Sequence, residues 1–236
     1  MEKLLSLQNP IQCFIVKRIN RFVVEVKIDN KNYMAYMTNT GRLNEFMKEG
    51  KEGYCITGGK KTKYRLFAIK DEDFAALIDT QLQMKAFEQA IKIKAMPWLK
   101  GYEIRKKNVR IYNSILDYLL YNLENKEKMF LEIKSAVLRG NKNFAMYPDC
   151  PTERGRKHIR DLIRLANMGE RTAIIFIAAL PNANAFKPFK EGDPEIAELL
   201  LKAFKANVLI KAIAMYYNPL EKSVYLYNPE LPVILS

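Results

Sequence analysis

The stretch RTAIIFIAAL, Arg171–Leu180, is apolar at every position from Ala173 to Leu180. An alternating strand needs cover on one face, whereas an uninterrupted apolar run needs cover on both. The run is far shorter than the roughly 20 residues of a membrane span, so it reads as a central, buried strand. The neighbouring segments read as helices. TERGRKHIRDLIRLANMG, residues 152–169, has Thr152 to cap its start, an apolar stripe of Ile159, Leu162, Ile163 and Leu165, and Gly169 to end it. DPEIAELLLKAFKAN, residues 193–207, is a helix with Pro194 in its first turn, and VLIKAIAMYY, residues 208–217, is expected to be the final core strand.

Upstream, QMKAFEQAIKIKAM, residues 83–96, suits a helix with Met84, Phe87, Ile91 and Met96 along one side. NVRIYNSILDYLLYN and KEKMFLEIKSAVL read as two strands joined by a polar turn at Leu123–Lys128. Helix, hairpin, helix, strand, helix, strand predicts an α/β domain with a mixed sheet over residues 81–236. Before residue 80 the period is two. In RFVVEVKID, Val24, Val26 and Ile28 face one way and Glu25, Lys27 and Asp29 the other. Asp29–Asn32 is turn chemistry, and Asn39-Thr40-Gly41 and Gly58-Gly59 punctuate further turns. Several short strands within residues 1–80 predict a small β-barrel, with an OB-fold as its version.

The fold leaves the partner open, and here composition helps. Thirty-nine Lys and Arg against 26 Asp and Glu give a net charge of +13, which suits a polyanionic partner. The N-terminus MEKLLSLQNPIQ lacks the signal-peptide pattern. Cys13, Cys55 and Cys150 form no CxxC and read as reduced, buried thiols of a cytoplasmic protein. DNA is the expected partner, with RNA as the alternative; no membrane is expected, and a homodimer is the assembly considered.

Within FLEIKSAVL, residues 130–138, Glu132 and Lys134 share one strand face. Burying such charges costs several kcal/mol or so per ion unless they are paired or metal-bound. Asp117, in the preceding strand ILDYLL, is placed by the hairpin beside Glu132. Two carboxylates converging on one point can hold Mg²⁺ or Mn²⁺ through oxygen, with the Ile133 carbonyl as a further ligand. Such an ion polarises a phosphodiester and acidifies a bound water, while Lys134 orients that water or neutralises phosphate charge. Asp117, Glu132 and Lys134 are therefore the expected catalytic residues, and Asp117 and Glu132 the metal ligands. The plain alternative is a cross-strand ion pair at a sheet edge. Arg154, Lys157 and His158 crowd one helical start, a setting for phosphate or for a solvated face. Lys17, Arg18 and Arg21 interleave with Ile19 and Phe22 as in surfaces that track a nucleic-acid backbone. Asn39 and Thr40 of TNTGR are placed to meet an anion. Trp98, Tyr102 and KGYEIRKK read as core and edge-strand residues with a basic flank.

KRINRF, TNTGR, LKGY, the Asp117 strand, FLEIKSAVL, YPDCPTERGRKHIRDL and GERTAIIFIAAL occur in this order over residues 13–217. In that combination the chain resembles the sugar fermentation stimulation protein A family of bacteria and archaea. TERGxKH is the most specific motif, here Thr152, Glu153, Arg154, Gly155, Lys157 and His158; the family's ExK matches Glu132 and Lys134, and its preceding acidic residue matches Asp117. The resemblance implies an N-terminal OB-fold joined to a PD-(D/E)XK nuclease-like domain. It also implies DNA binding without marked sequence specificity, linked to regulation of sugar-utilisation genes. The chain departs from the family at Ile115, where Arg is usual, and at Asn108, where Glu is common; its tail from Pro219 extends past the usual end. Three readings follow: a DNA-binding protein with a nuclease-type metal site, an active Mg- or Mn-dependent nuclease on DNA or RNA, and a non-enzymatic transcriptional regulator acting through protein contacts.

Overall fold

Alternating burial along the first strands curls them into a barrel. The computed structural model describes residues 1–58 and 61–235; Gly59, expected at a turn, lies outside them. After β1 (Glu2–Ser6) come β2 (Ile11–Arg18), β3 (Val23–Ile28), β4 (Lys31–Tyr36), β5 (Glu52–Thr57) and β6 (Tyr64–Asp71). Val24, Val26 and Ile28 are buried, as their spacing requires. Asp29 and Asn30 take the positive φ of the tight turn that follows. Neighbours run β4-β3-β2-β5-β6, and a parallel pairing of β4 with β6 at Ala35↔Tyr64 closes five strands on themselves. This is an OB-type barrel. Cys13 and Cys55, distant in sequence, meet inside it with Sγ atoms 3.5 Å apart, both as free thiols. Cys150, expected to be buried, is only half-buried.

The rest of the chain forms β7 (Phe74–Leu77), α1 (Thr80–Lys92), β8 (Tyr102–Ile111), β9 (Ser114–Asn122), β10 (Lys128–Ala136), β11 (Leu138–Arg139), β12 (Phe144–Tyr147), α2 (Glu153–Asn167), β13 (Arg171–Ala178), β14 (Ala185–Pro188), α3 (Pro194–Lys205), β15 (Leu209–Asn218) and β16 (Ser223–Leu231). The main sheet runs β7-β15-β13-β10-β9-β8, with β13 parallel to both β10 and β15 and the other pairings antiparallel. β11, β12 and β14 make a separate small sheet. As its sequence demands, β13 is buried on both faces from Thr172 onward. Phe176 stacks on Phe186 at 3.8 Å between ring centres. α1 covers one face, where Tyr118 Oη donates to Glu88 Oε1 at 2.9 Å. Asp117, next along β9, projects from the opposite face, the one covered by α2. Among the described residues, no helix is long and apolar enough to cross a membrane.

Three elements differ from the sequence expectation. NVRIYNSILDYLLYN is not one strand: the chain reverses at Tyr112–Asn113, so that Ile111 pairs with Ser114 and three antiparallel strands replace two. The first helix begins earlier, at Thr80, because the Asp79 carboxylate accepts the Leu82 N–H at 2.9 Å and caps it there. β15 is not the last core strand, since β16 pairs along it and takes β1 on its other edge. The strand nearest the N-terminus therefore joins the C-terminal sheet and not the barrel.

Candidate active site

The β9–β10 ladder ends one step before the two carboxylates. Leu131↔Tyr118 is its last pair, and the next step in register would set Glu132 opposite Asp117. There the Asp117 side chain replaces a backbone carbonyl, and Oδ2 accepts the Ile133 N–H at 2.7 Å. Glu132 is 2% exposed. Its Oε1 accepts from Lys134 Nζ at 2.6 Å and from the ring N–H of His158 at Nδ1. With Nδ1 protonated, Nε2 of His158 is an acceptor, and Arg154 Nε lies 3.5 Å from it. Glu132 Oε2 is buried and has no hydrogen-bond partner among the described residues. A buried carboxylate oxygen left open costs on the order of 1–3 kcal/mol or more, so this atom is where a ligand would be stabilised.

The electrostatics sort the three charged groups. Burial pushes the Glu132 carboxyl up, but the Lys134 ammonium and His158 outweigh it, and the group stays below its ordinary value. Burial pulls Lys134 down, and Glu132 more than restores it, so the ammonium is held above its ordinary value. Asp117 is different: burial first, then repulsion from Glu132, carry it up to about 7, against weaker opposing pulls from the Ile133 N–H, Lys134 and Arg154. A divalent cation would relieve that repulsion directly. The carboxylate oxygens open to such an ion are Glu132 Oε2 and the oxygen of Asp117 that the Ile133 N–H does not take. Among the described residues, no group of three His, Cys, Asp or Glu side chains converges into a closed cage. One or two carboxylates completed by water is a set that suits Mg²⁺ or a similar hard ion, so the residues present fit such a group.

α2 sets the remaining pieces. Thr152 caps it by accepting the Gly155 N–H at 3.1 Å, and Arg156 ties it to Asp193 at the start of α3, with Nε 3.0 Å from Oδ2. Gly155 is required by close approach, because a Cβ there would lie 2.6 Å from Tyr147 Oη. The helix buries Gly155, His158, Ile159, Leu162 and Leu165. His158, expected to face phosphate, is thus 3% exposed and holds Glu132 instead. Ile163, expected in the core stripe, is half-buried. Arg154 is exposed, and Lys157 donates to the Asn113 carbonyl at 2.7 Å. Both border a cleft of ≈ 430 Å³ that reaches Ile115 and His158.

The barrel residues divide. Arg18 is engaged by the fold: Nη1 donates to the Gly41 carbonyl at 2.6 Å and to that of Arg42, Nε to Asn20 and Nη2 to Arg21. Burial lowers its pKa despite the pull of Asp149. It holds the TNTGR turn, with four of its five N–H donors spent on backbone carbonyls. Asn39 is likewise buried, with Oδ1 accepting the Gly41 N–H at 2.9 Å. Lys17 is exposed, 3.9 Å from Glu25. Arg21 is exposed and lies over Phe22 at 4.7 Å. Arg21, Asn39 and the exposed Thr40 line a cleft of ≈ 350 Å³ with Ser135, Tyr147 and Thr152. The barrel turn is therefore brought to the strand that carries Glu132. Ser135 Oγ is buried there without a partner among the described residues. Ser135, Tyr147 and Asp193 escaped sequence reasoning; all three stand inside or at the start of recognised segments, but nothing in their spacing marks them.

A closed OB-type barrel joined to a mixed α/β domain, with an acidic strand beside an E-x-K strand, is the class of protein that the fold and the site define. Residues 16–78 match the SfsA N-terminal OB domain, and residues 81–221 match the sugar fermentation stimulation protein RE domain. The chain belongs to the sugar fermentation stimulation protein family. A sugar fermentation stimulation protein homolog of Pyrococcus furiosus is 47% identical over 224 residues, covering 94% of this chain and 96% of the relative. One from Archaeoglobus fulgidus is 45% identical over 234 residues, covering 99% and 100%. The solved structure of Pyrococcus furiosus SfsA in complex with Ca²⁺ superposes with a TM-score of 0.94 at 46% identity, over 99% of this chain and 100% of that one.

Proposed function

We propose that the chain binds DNA through its phosphate backbone, with little sequence specificity, and holds a divalent cation between Asp117 and Glu132. The observation that carries this is the Glu132 carboxylate. It is buried and ionised, held at Oε1 by Lys134 and His158, and open at Oε2 beside the repelled Asp117. The Ca²⁺ of the Pyrococcus furiosus protein supports a hard cation here, with Mg²⁺ or Mn²⁺ as the working ion. In this reading residues 1–80, chiefly the barrel, contribute Lys17, Arg21 and Thr40 to the backbone grip. Residues 81–236 contribute the carboxylates and the Arg154–Lys157 helix start. Titrating a fluorescent duplex at several salt concentrations tests it. The logarithm of the binding constant should fall steeply with log salt, by about 0.9 per phosphate neutralised. Salt-independent binding, or none, would overturn it.

Cleavage is the second reading, favoured by Lys134, whose buried ammonium sits 2.6 Å from Glu132 Oε1 and is kept charged. A divalent ion there supplies Lewis-acid polarisation of the phosphodiester and acidifies a bound water. Lys134 adds a fixed positive charge for the phosphate oxygens, and His158 keeps Glu132 in one orientation. Labelled DNA and RNA incubated with Mn²⁺ and either wild type or Glu132→Ala separate the readings. Cleavage by wild type alone supports a nuclease, and equal cleavage by both dismisses it.

A further inference from the structure

β9 carries a second basic cleft in line with the carboxylates. Residues 115, 117, 119 and 121 alternate onto one face of this strand. Ile115 lies in the cleft bordered by Arg154 and Lys157. Leu119 and Tyr121 lie in another, of ≈ 560 Å³, whose remaining walls are Arg105, Lys106 and Lys128. Asp117 is midway between the two. From Ile115 to Tyr121 the strand covers about 20 Å, the rise of roughly six steps of a B-form strand.

Two consecutive side chains of one strand normally face opposite ways, yet Arg105 and Lys106 both line this cleft. The register shift between Ile104 and Lys106 explains it, since the extra residue of a bulge re-aims the side chain beside it. β8 is the edge strand of the sheet, so the cleft opens to solvent on that side. Arg105, Lys106 and Lys128 are exposed, and none has a carboxylate within ion-pair distance among the described residues. Lys107, by contrast, is paired with Glu88 on the opposite face. Edge lysines also deter strand-to-strand association. That role asks only for charge, and not for a bulge that gathers cations over an aromatic floor aligned with Asp117.

We infer that Arg105, Lys106 and Lys128, with Tyr121 as floor, form a backbone-binding subsite for the nucleic-acid strand that passes Asp117 and Glu132. This rests on the nucleic-acid reading above and extends it by giving the strand a direction, along β9 from Arg154 to Lys128. Charge complementarity selects the occupant: a polyanion of regular phosphate spacing on a track of unpaired cations with an aromatic surface.

The test compares wild type, the triple variant Arg105→Ala/Lys106→Ala/Lys128→Ala, and Lys85→Glu on the opposite face. A labelled 30-mer, single-stranded or duplex, is titrated at several salt concentrations, and melting temperatures confirm folding. The triple variant is expected to bind at least 10-fold more weakly, with a salt slope smaller by about 2–3, whereas Lys85→Glu keeps the wild-type slope. Wild-type binding with an unchanged slope in the triple variant would overturn the subsite while leaving the nucleic-acid reading intact. No binding by wild type would overturn both. Equal weakening for polyglutamate would mark a general anion surface and also overturn it. Independently of any variant, photocrosslinking to iodouracil-substituted DNA should recover the peptide containing Tyr121. Crosslinks confined to the barrel would contradict the assignment.

Discussion

Replacing Asp117 by Asn removes a charge that burial and Glu132 both disfavour. In the folded chain the carboxyl is raised from an ordinary 3.8 to about 7, chiefly by burial and then by Glu132. The folded state therefore holds this proton more tightly than the unfolded chain does. The resulting stability is fully present below the ordinary value and is lost as pH rises through about 7. The interval is roughly three pH units, which at 1.36 kcal/mol each is about 4 kcal/mol as an upper figure and about 2 kcal/mol after local relaxation. Asn stays neutral, and its amide oxygen can still accept the Ile133 N–H. In urea denaturation with a chelator present, Asp117→Asn should be more stable than wild type at pH 8 by about 2 kcal/mol and nearly equal to it at pH 4. The same assay with Mn²⁺ should stabilise wild type and not the variant, because only the ionised pair binds the ion. A variant less stable than wild type at pH 8 would refute the electrostatic account of Asp117, as would one with the wild-type pH slope.

Arg18→Ala should destabilise the barrel by about 1–3 kcal/mol in thermal melts, through carbonyls left without donors, and should leave the salt slope of DNA binding unchanged. Arg21→Ala should do the reverse, lowering that slope by about 0.9 without moving the melt. Gly41→Ala places a Cβ 2.6 Å from the Asp149 carboxylate, whose Oδ2 accepts the Leu43 N–H, and should cost about 1–3 kcal/mol by the same melt.

The central carboxylates were legible because strand periodicity and a hairpin are local properties. The spacing of Asp117, Glu132 and Lys134 needs only to know which residues share a face. The reversal at Tyr112–Asn113 was not legible. It lacks a Gly-based turn signal, and β8 is exposed along most of its length, so apolar alternation does not announce it. Pairing of β1 with β16 joins residues more than 200 positions apart, beyond any periodic signal. The basic-aromatic interleaving of residues 16–22 made Arg18 a phosphate ligand, but two of the four carbonyls that occupy it come from a turn more than 20 residues away. His158 was readable in principle. It stands one turn before Leu162 on the face that α2 buries, and the helical spacing that marked Ile159 and Leu165 marks it too.

The most direct test is a crystal of the protein soaked in Mn²⁺ at pH 8, with data collected at the manganese absorption edge. The account predicts an anomalous peak within ligand distance of Glu132 Oε2 and the free oxygen of Asp117, absent from Glu132→Gln. A peak elsewhere, or the same peak in both proteins, would contradict it.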